Sequence, residues 1–177
     1  MKMDNQFVNK IKTNKELYIL LLIGALYSLS TALSNTFVNI YLWKQSEALI
    51  NLGIYNLSVV ILQGVTFILA GKLAKRIDRI IVLRIGILFL AAFYIAVLTF
   101  SSTSHLYLVM IGGLLGIGYG FYWLAYNVLT FEITEPETRD TFNGLQGITG
   151  SIGGMIGPFF AGYIITVLTG NNGYLLI

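Results

Sequence analysis

The eleven Lys and Arg residues and the eight Asp and Glu residues of this chain stand in short clusters, separated by long uncharged runs. Each run has about the length an α-helix needs to cross a ~30 Å hydrocarbon layer, roughly 20 residues at 1.5 Å per residue. The runs cover residues 17–43, 48–71, 80–101, 106–131 and 141–169. The third holds one charge, Arg84, close enough to its start for the long stem to return the guanidinium to the headgroups. After Gly170-Asn171-Asn172-Gly173 a sixth apolar run begins at Tyr174 and the sequence stops at Ile177. The expectation is an all-α membrane protein, with five complete transmembrane helices plus the start of a sixth, in one domain over 1–177. Composition agrees: 56% of residues are hydrophobic and 11% are charged, against ~25% charged in soluble domains. A water-facing surface cannot be built from that, so soluble enzymes and nucleic-acid modules are excluded and the lipid bilayer is the first partner. With no Cys, thiolate chemistry and Cys-ligated metal are excluded too.

Threading alternate connections to opposite sides of a membrane segregates the cations. Lys2, Lys10, Lys12, Lys15, Lys72, Lys75, Arg76, Arg79, Arg84 and Arg139 collect on one side, and Lys44 stands alone on the other. The positive-inside rule then places the N-terminus and the 72–79 and 132–140 connections in the cytoplasm. The expected location is the plasma membrane, multi-pass. A cleaved signal peptide is the competing reading of the first run, but that run is long and four more follow it.

Two motifs carry a family resemblance. Between the second and third runs the chain reads Gly71-Lys72-Leu73-Ala74-Lys75-Arg76-Ile77-Asp78-Arg79. This resembles the signature turn of the major facilitator superfamily, G-x-L-a-D-r-x-G-r, at the place that family has it. Lys75 stands where the family has Asp, and Asp78 where it has its second Gly, which makes Asp78 the candidate substitute for the acid. The fifth run has Gly144, Gly153, Gly157-Pro158 and Ala161-Gly162, similar to the family's fifth-helix pattern G-x8-G-x3-G-P-x2-G-G with one Gly replaced. The connection Pro136-Glu137-Thr138-Arg139 also resembles the family's loop between helices four and five. The resemblance covers nearly the whole chain but only the N-terminal half of the family's twelve-helix plan. It implies a transporter, not an enzyme, and a C-terminal half in the same or a separate chain as partner. It also implies a gating pair between an acid at the end of the fourth helix and an Arg of the turn, here Glu132 and Arg79. The Gly-Pro pattern is associated with exporters, though the Arg that exporters often carry in the fourth helix is absent.

Polar residues inside the runs are the candidate substrate pathway, because an uncharged amide in a membrane must face protein or water. Ser28, Thr31, Asn35 and Asn39 fall on one face of the first helix, and Asn56 and Gln63 on the second. Both sets also read as hydrogen bonds that glue helices together. In the fourth helix Tyr119, Trp123, Tyr126 and Thr130 follow at helical steps, with Tyr122 and Asn127 beside them. Rings with polar edges suit an organic solute; the plainer reading of Tyr126 is a lipid-facing belt residue. No Asp, Glu, Lys or Arg stands at mid-membrane depth, and no ligand cluster implies a metal or cofactor. The glycine-rich Thr149–Gly153 segment lacks the preceding strand of a dinucleotide loop. The expected function is movement of a small organic solute by alternating access, as part of a full-length transporter. A non-transporting membrane subunit or inactive fragment is the alternative.

Overall fold

The computed structural model describes residues 15–46, 48–99 and 105–167, with side chains except those of 34–37, 44–46, 137, 161 and 164–167. The described residues form five long helices and no strand: α1 (Lys15–Ser46), α2 (Leu49–Ala74), α3 (Arg79–Thr99), α4 (His105–Ile133) and α5 (Pro136–Val167). α1 to α4 are long and apolar enough to cross a membrane. α5 matches α1 in length but is diluted by Asn143, Gln146, Thr149, Ser151 and its glycines, so among the described residues four helices have the length and composition of a span, against the five expected from the sequence. The start of a sixth at Tyr174 lies outside the described residues.

The helices overrun the apolar runs at several ends, because charge ends a membrane span without ending a helix. α2 continues through Lys72 to Ala74, then closes as Arg76 N–H donates to Leu73 O at 2.8 Å and Ile77 N–H to the same oxygen at 3.0 Å. α3 starts where Asp78 supplies an N-cap: Ile80 N–H donates to its Oδ1 at 2.8 Å and Ile81 N–H to its O at 3.0 Å. A carboxylate there satisfies an orphan donor and suits the helix dipole. α5 opens with Pro136 in its first position, where a missing N–H costs nothing. Thr138 N–H and Arg139 N–H both donate to Glu135 O at 3.0 Å, and Glu135 N–H donates back to Thr138 Oγ1 at 3.2 Å.

Two compact units divide the chain, one of residues 38–129 and one of residues 1–37 with 130–177. In the first, α4 lies against both α2 and α3. Gly112, Gly116 and Gly120, four residues apart, meet Tyr55, Ser58, Val59, Gln63 and Thr66 of α2 so closely that a Cβ would strike backbone atoms. A Cβ on Gly86 of α3 would sit 2.5 Å from the Tyr122 nitrogen of α4, and one on Gly118 2.8 Å from Leu90 Cδ2. Phe89 and Phe121 stack at 6.2 Å, and Tyr107 Oη donates to Ala96 O at 3.2 Å. Tyr55, Phe93, Leu108, Ile111, Leu115 and Tyr122 are the buried centre, whereas Leu49, Ile50, Ile68, Leu88 and Leu98 stand outward. Large apolar groups outside a well-packed interior are what lipid as solvent permits. In the second unit, α5 meets α1 through Gly153, beside Ser28 and Leu29, and Gly157, where a Cβ would come within 2.8 Å of the Ala32 carbonyl carbon.

Candidate functional site

The polar and aromatic face of α4 belongs to the 38–129 unit. Tyr119 and Trp123 are half-buried and Asn127 is exposed; at steps of four they share a narrow sector of the helix. Behind them Tyr122 and Tyr126 are buried, 1% and 0% exposed. The two phenol rings stack at 5.6 Å, and Trp123 meets both edge-on, at 5.5 Å from Tyr122 and 6.2 Å from Tyr126. Tyr126 is therefore neither a lipid-facing belt residue nor open to a solute in this conformation; it holds Trp123 in place. Aromatic edge-to-face pairs of this kind contribute about 1 kcal/mol beyond area burial, which favours this orientation of the indole.

The amides of the same unit divide. Asn56 Nδ2 donates to Asn39 Oδ1 at 3.1 Å, and also to Leu52 O of its own helix at 2.9 Å. These two residues of the expected pathway thus join the end of α1 to α2. Gln63 is half-buried, with its backbone against Gly116 and Gly120. In the other unit Ser28 is half-buried beside Gly150 and Gly153. Thr31 Oγ1 lies 2.9 Å from Tyr27 O and 3.2 Å from Ser28 O, so its hydroxyl serves its own helix. The Asn35 side chain lies outside the described residues. In a double-mutant cycle of Asn39→Ala and Asn56→Ala, unfolding of the detergent-solubilised chain should show a coupling of about 0.6 kcal/mol, the mean for interhelical hydrogen bonds in membranes. Zero coupling would mean the amides do not pair.

The signature turn is also resolved into local roles. Gly71 is half-buried, and a Cβ there would meet Leu124 Cδ1 at an ordinary 3.7 Å. Lys75 and Arg76 are exposed and Arg79 half-buried at the first position of α3. Asp78, expected to replace the family's acid, has its carboxylate on Ile80 N–H as the cap of α3. Glu132 is exposed in the last turn of α4. Arg139 is held at several points: its Nε donates to Thr134 Oγ1 at 3.1 Å, and its Nη2 to Phe131 O and Thr134 O, both at 3.2 Å. The guanidinium also lies 4.1 Å above the Phe131 ring. A cation on the last carbonyls of a helix satisfies orphan acceptors and suits the negative end of the dipole.

Of the Gly-Pro set, Gly153 and Gly157 make the close approach to α1, while a Cβ on Gly144 or Gly162 would meet nothing within 4 Å. Pro158 lies inside α5, which remains helical through it. Gly86, Gly112, Gly116 and Gly120, none of them in the family motifs, make closer approaches than any glycine of the Gly-Pro set; the four-residue spacing of Gly112, Gly116 and Gly120 is the signal in the sequence. Among the described residues no group of three or more His, Asp or Glu side chains could hold a metal ion.

Comparison with known proteins finds relatives and a family. The uncharacterised protein YqgE of Bacillus subtilis (strain 168) is 61% identical over 170 residues, which is 96% of this chain and 40% of that protein. An uncharacterised protein in the sodM 3' region of Geobacillus stearothermophilus is 59% identical over 166 residues, 94% of this chain and 78% of the relative. The chain thus spans well under two thirds of the longer relative. No solved structure matches it. The family profile described as Major Facilitator Superfamily matches residues 16–177. With all but its first residues inside that profile, the chain belongs to the major facilitator superfamily of membrane transporters.

Proposed function

We propose that this chain is the N-terminal part of a transporter that moves a small organic solute across the plasma membrane by alternating access, working with a C-terminal half. Alternating access places the site near the bilayer midplane between repeats. The observation that carries the reading is the α4 face of Tyr119, Trp123 and Asn127, polar and aromatic in a helix otherwise packed through glycines. A sugar, a nucleoside or an aromatic cation each offers a flat face for the rings and hydrogen-bonding edges for the amide. The cation bias supports a cytoplasmic N-terminus, and the Gly-Pro pattern of α5 supports efflux by antiport as the direction.

The experiment uses cells producing the protein from the intact gene, including any reading frame that continues past Ile177, and challenges them with radiolabelled sugars and nucleosides and with ethidium. Tyr119→Ala and Trp123→Ala should each slow transport of the solute that is moved by about tenfold, the equivalent of one lost aromatic contact, at unchanged membrane abundance. Unaltered rates would remove the α4 face from the pathway. Absence of movement for every solute in the panel would favour a non-transporting subunit.

A further inference from the structure

The α2–α3 hairpin brings Lys72, Lys75 and Arg76 to one membrane boundary, all exposed. Between Lys72 and Arg84 the one acid is Asp78, and its carboxylate accepts Ile80 N–H. Arg84 stands apart from this cluster, further along α3. It lies five residues past the start of α3, about 7.5 Å along the helix axis. Its same-face neighbours, three and four residues away on each side, are Ile80, Ile81, Ile87 and Leu88, which are 45, 47, 43 and 69% exposed. Arg84 is itself exposed, so it stands in the outward apolar stripe and not in the packed interior. Among the described residues no carboxylate or carbonyl partners it.

A guanidinium on the lipid-facing side of a helix must find an anion or water at the headgroup layer, because hydrocarbon offers neither. The Cα–Cβ bonds of a helix lean toward its N-terminus, here toward the basic turn, so the side chain climbs to the level of Lys75 and Arg76. At that depth the available anion is a phosphodiester. Arg presents a planar fork that matches two phosphate oxygens, and clustered cations at a membrane boundary add a graded attraction for anionic lipid.

We propose that Arg84, with Lys72, Lys75 and Arg76, forms a binding site for the headgroup of an anionic phospholipid in the leaflet that holds the α2–α3 turn. Arg84 makes the phosphate contact and the three turn cations set the preference for negative charge. The site requires only that the chain spans a bilayer, and it stands whether or not the chain transports. Its occupant is a lipid and not free phosphate, because the flanking Ile80, Ile81, Ile87 and Leu88 offer a surface for acyl chains.

The test is native mass spectrometry of the purified full chain in detergent containing equal amounts of phosphatidylglycerol and phosphatidylcholine. The wild-type chain should retain phosphatidylglycerol preferentially, and Arg84→Gln should lower the ratio about fivefold, the share of one cation at a membrane surface. Arg84→Lys, which keeps the charge and loses the fork, should retain part of the preference, and it serves as the second variant if Arg84→Gln does not fold. A wild-type ratio near one, or a ratio that neither substitution changes, would overturn the proposal. Displacement of the lipid by excess inorganic phosphate would overturn lipid as the occupant.

Discussion

Gly116→Ala should lower the stability of the detergent-solubilised chain by about 2 kcal/mol, the usual range for forcing a methyl group into a filled interior, while Gly64→Ala should raise it by up to about 1 kcal/mol. The two glycines lie on neighbouring helices in the same unit, and the substitution is the same. A Cβ on Gly116 of α4 would strike Val59 O and come within 3.0 Å of the Gln63 nitrogen. These are backbone atoms of α2, so the helices themselves must move apart. A Cβ on Gly64 meets nothing within 4 Å, leaving only the gain from restricting a helical glycine. Thermal unfolding followed by intrinsic fluorescence or size exclusion distinguishes them, since opposite signs are expected. Equal shifts for the two variants would mean that α2 and α4 are not in backbone contact. Gly86→Ala, against the Tyr122 nitrogen at 2.5 Å, should behave like Gly116→Ala.

Arg139→Ala should cost about 2 kcal/mol, the range for hydrogen bonds made by a charged group, and should loosen the end of α4. Three hydrogen bonds and the ring contact with Phe131 are lost together. Thr134 is 4% exposed, so water replaces its lost partner poorly. Arg139→Lys should recover at most half, since an ammonium cannot serve Thr134 Oγ1 and two carbonyls from one planar fork. Hydrogen exchange reports the effect directly: amides of 131–139 should exchange faster in Arg139→Ala with those of α2 unchanged. Uniform acceleration throughout would point to global destabilisation, and no local change would show that the clamp does not hold the α4–α5 elbow.

Arg139 stands in a connection that resembles a family loop, and the structure gives it a local task at the end of α4. Asp78 is a similar case. Its place one position before Arg79 was legible as an acid in the signature turn, but the same atoms satisfy the N-cap rule for α3, and a sequence cannot say which donor a carboxylate will meet. Thr31 was legible as polar in an apolar run, but a Thr hydroxyl within reach of the preceding turn's carbonyls is satisfied there. The amides of Asn39 and Asn56 suit either a pathway or helix-to-helix glue, and a 3.1 Å hydrogen bond between them joins two helices. Tyr126 was one of several rings at helical steps, and only packing separates the buried Tyr122 and Tyr126 from the half-buried Tyr119 and Trp123.

The order of residues is enough to dictate the helical plan, because in lipid every backbone group must be satisfied within its own segment and charge is costly in the hydrocarbon. Those two requirements write the number and approximate limits of the apolar runs into the order of residues, and the Gly-Pro and turn motifs carry the family. Tertiary structure alone decided which glycines matter. Gly64 and Gly116 are chemically the same residue within apolar runs, and the difference between open space and backbone contact depends on how α2 and α4 are rotated against each other. That rotation follows from the sum of many small packing contacts, each worth little; the four-residue spacing of Gly112, Gly116 and Gly120 marks a smooth face but does not name the helix it meets.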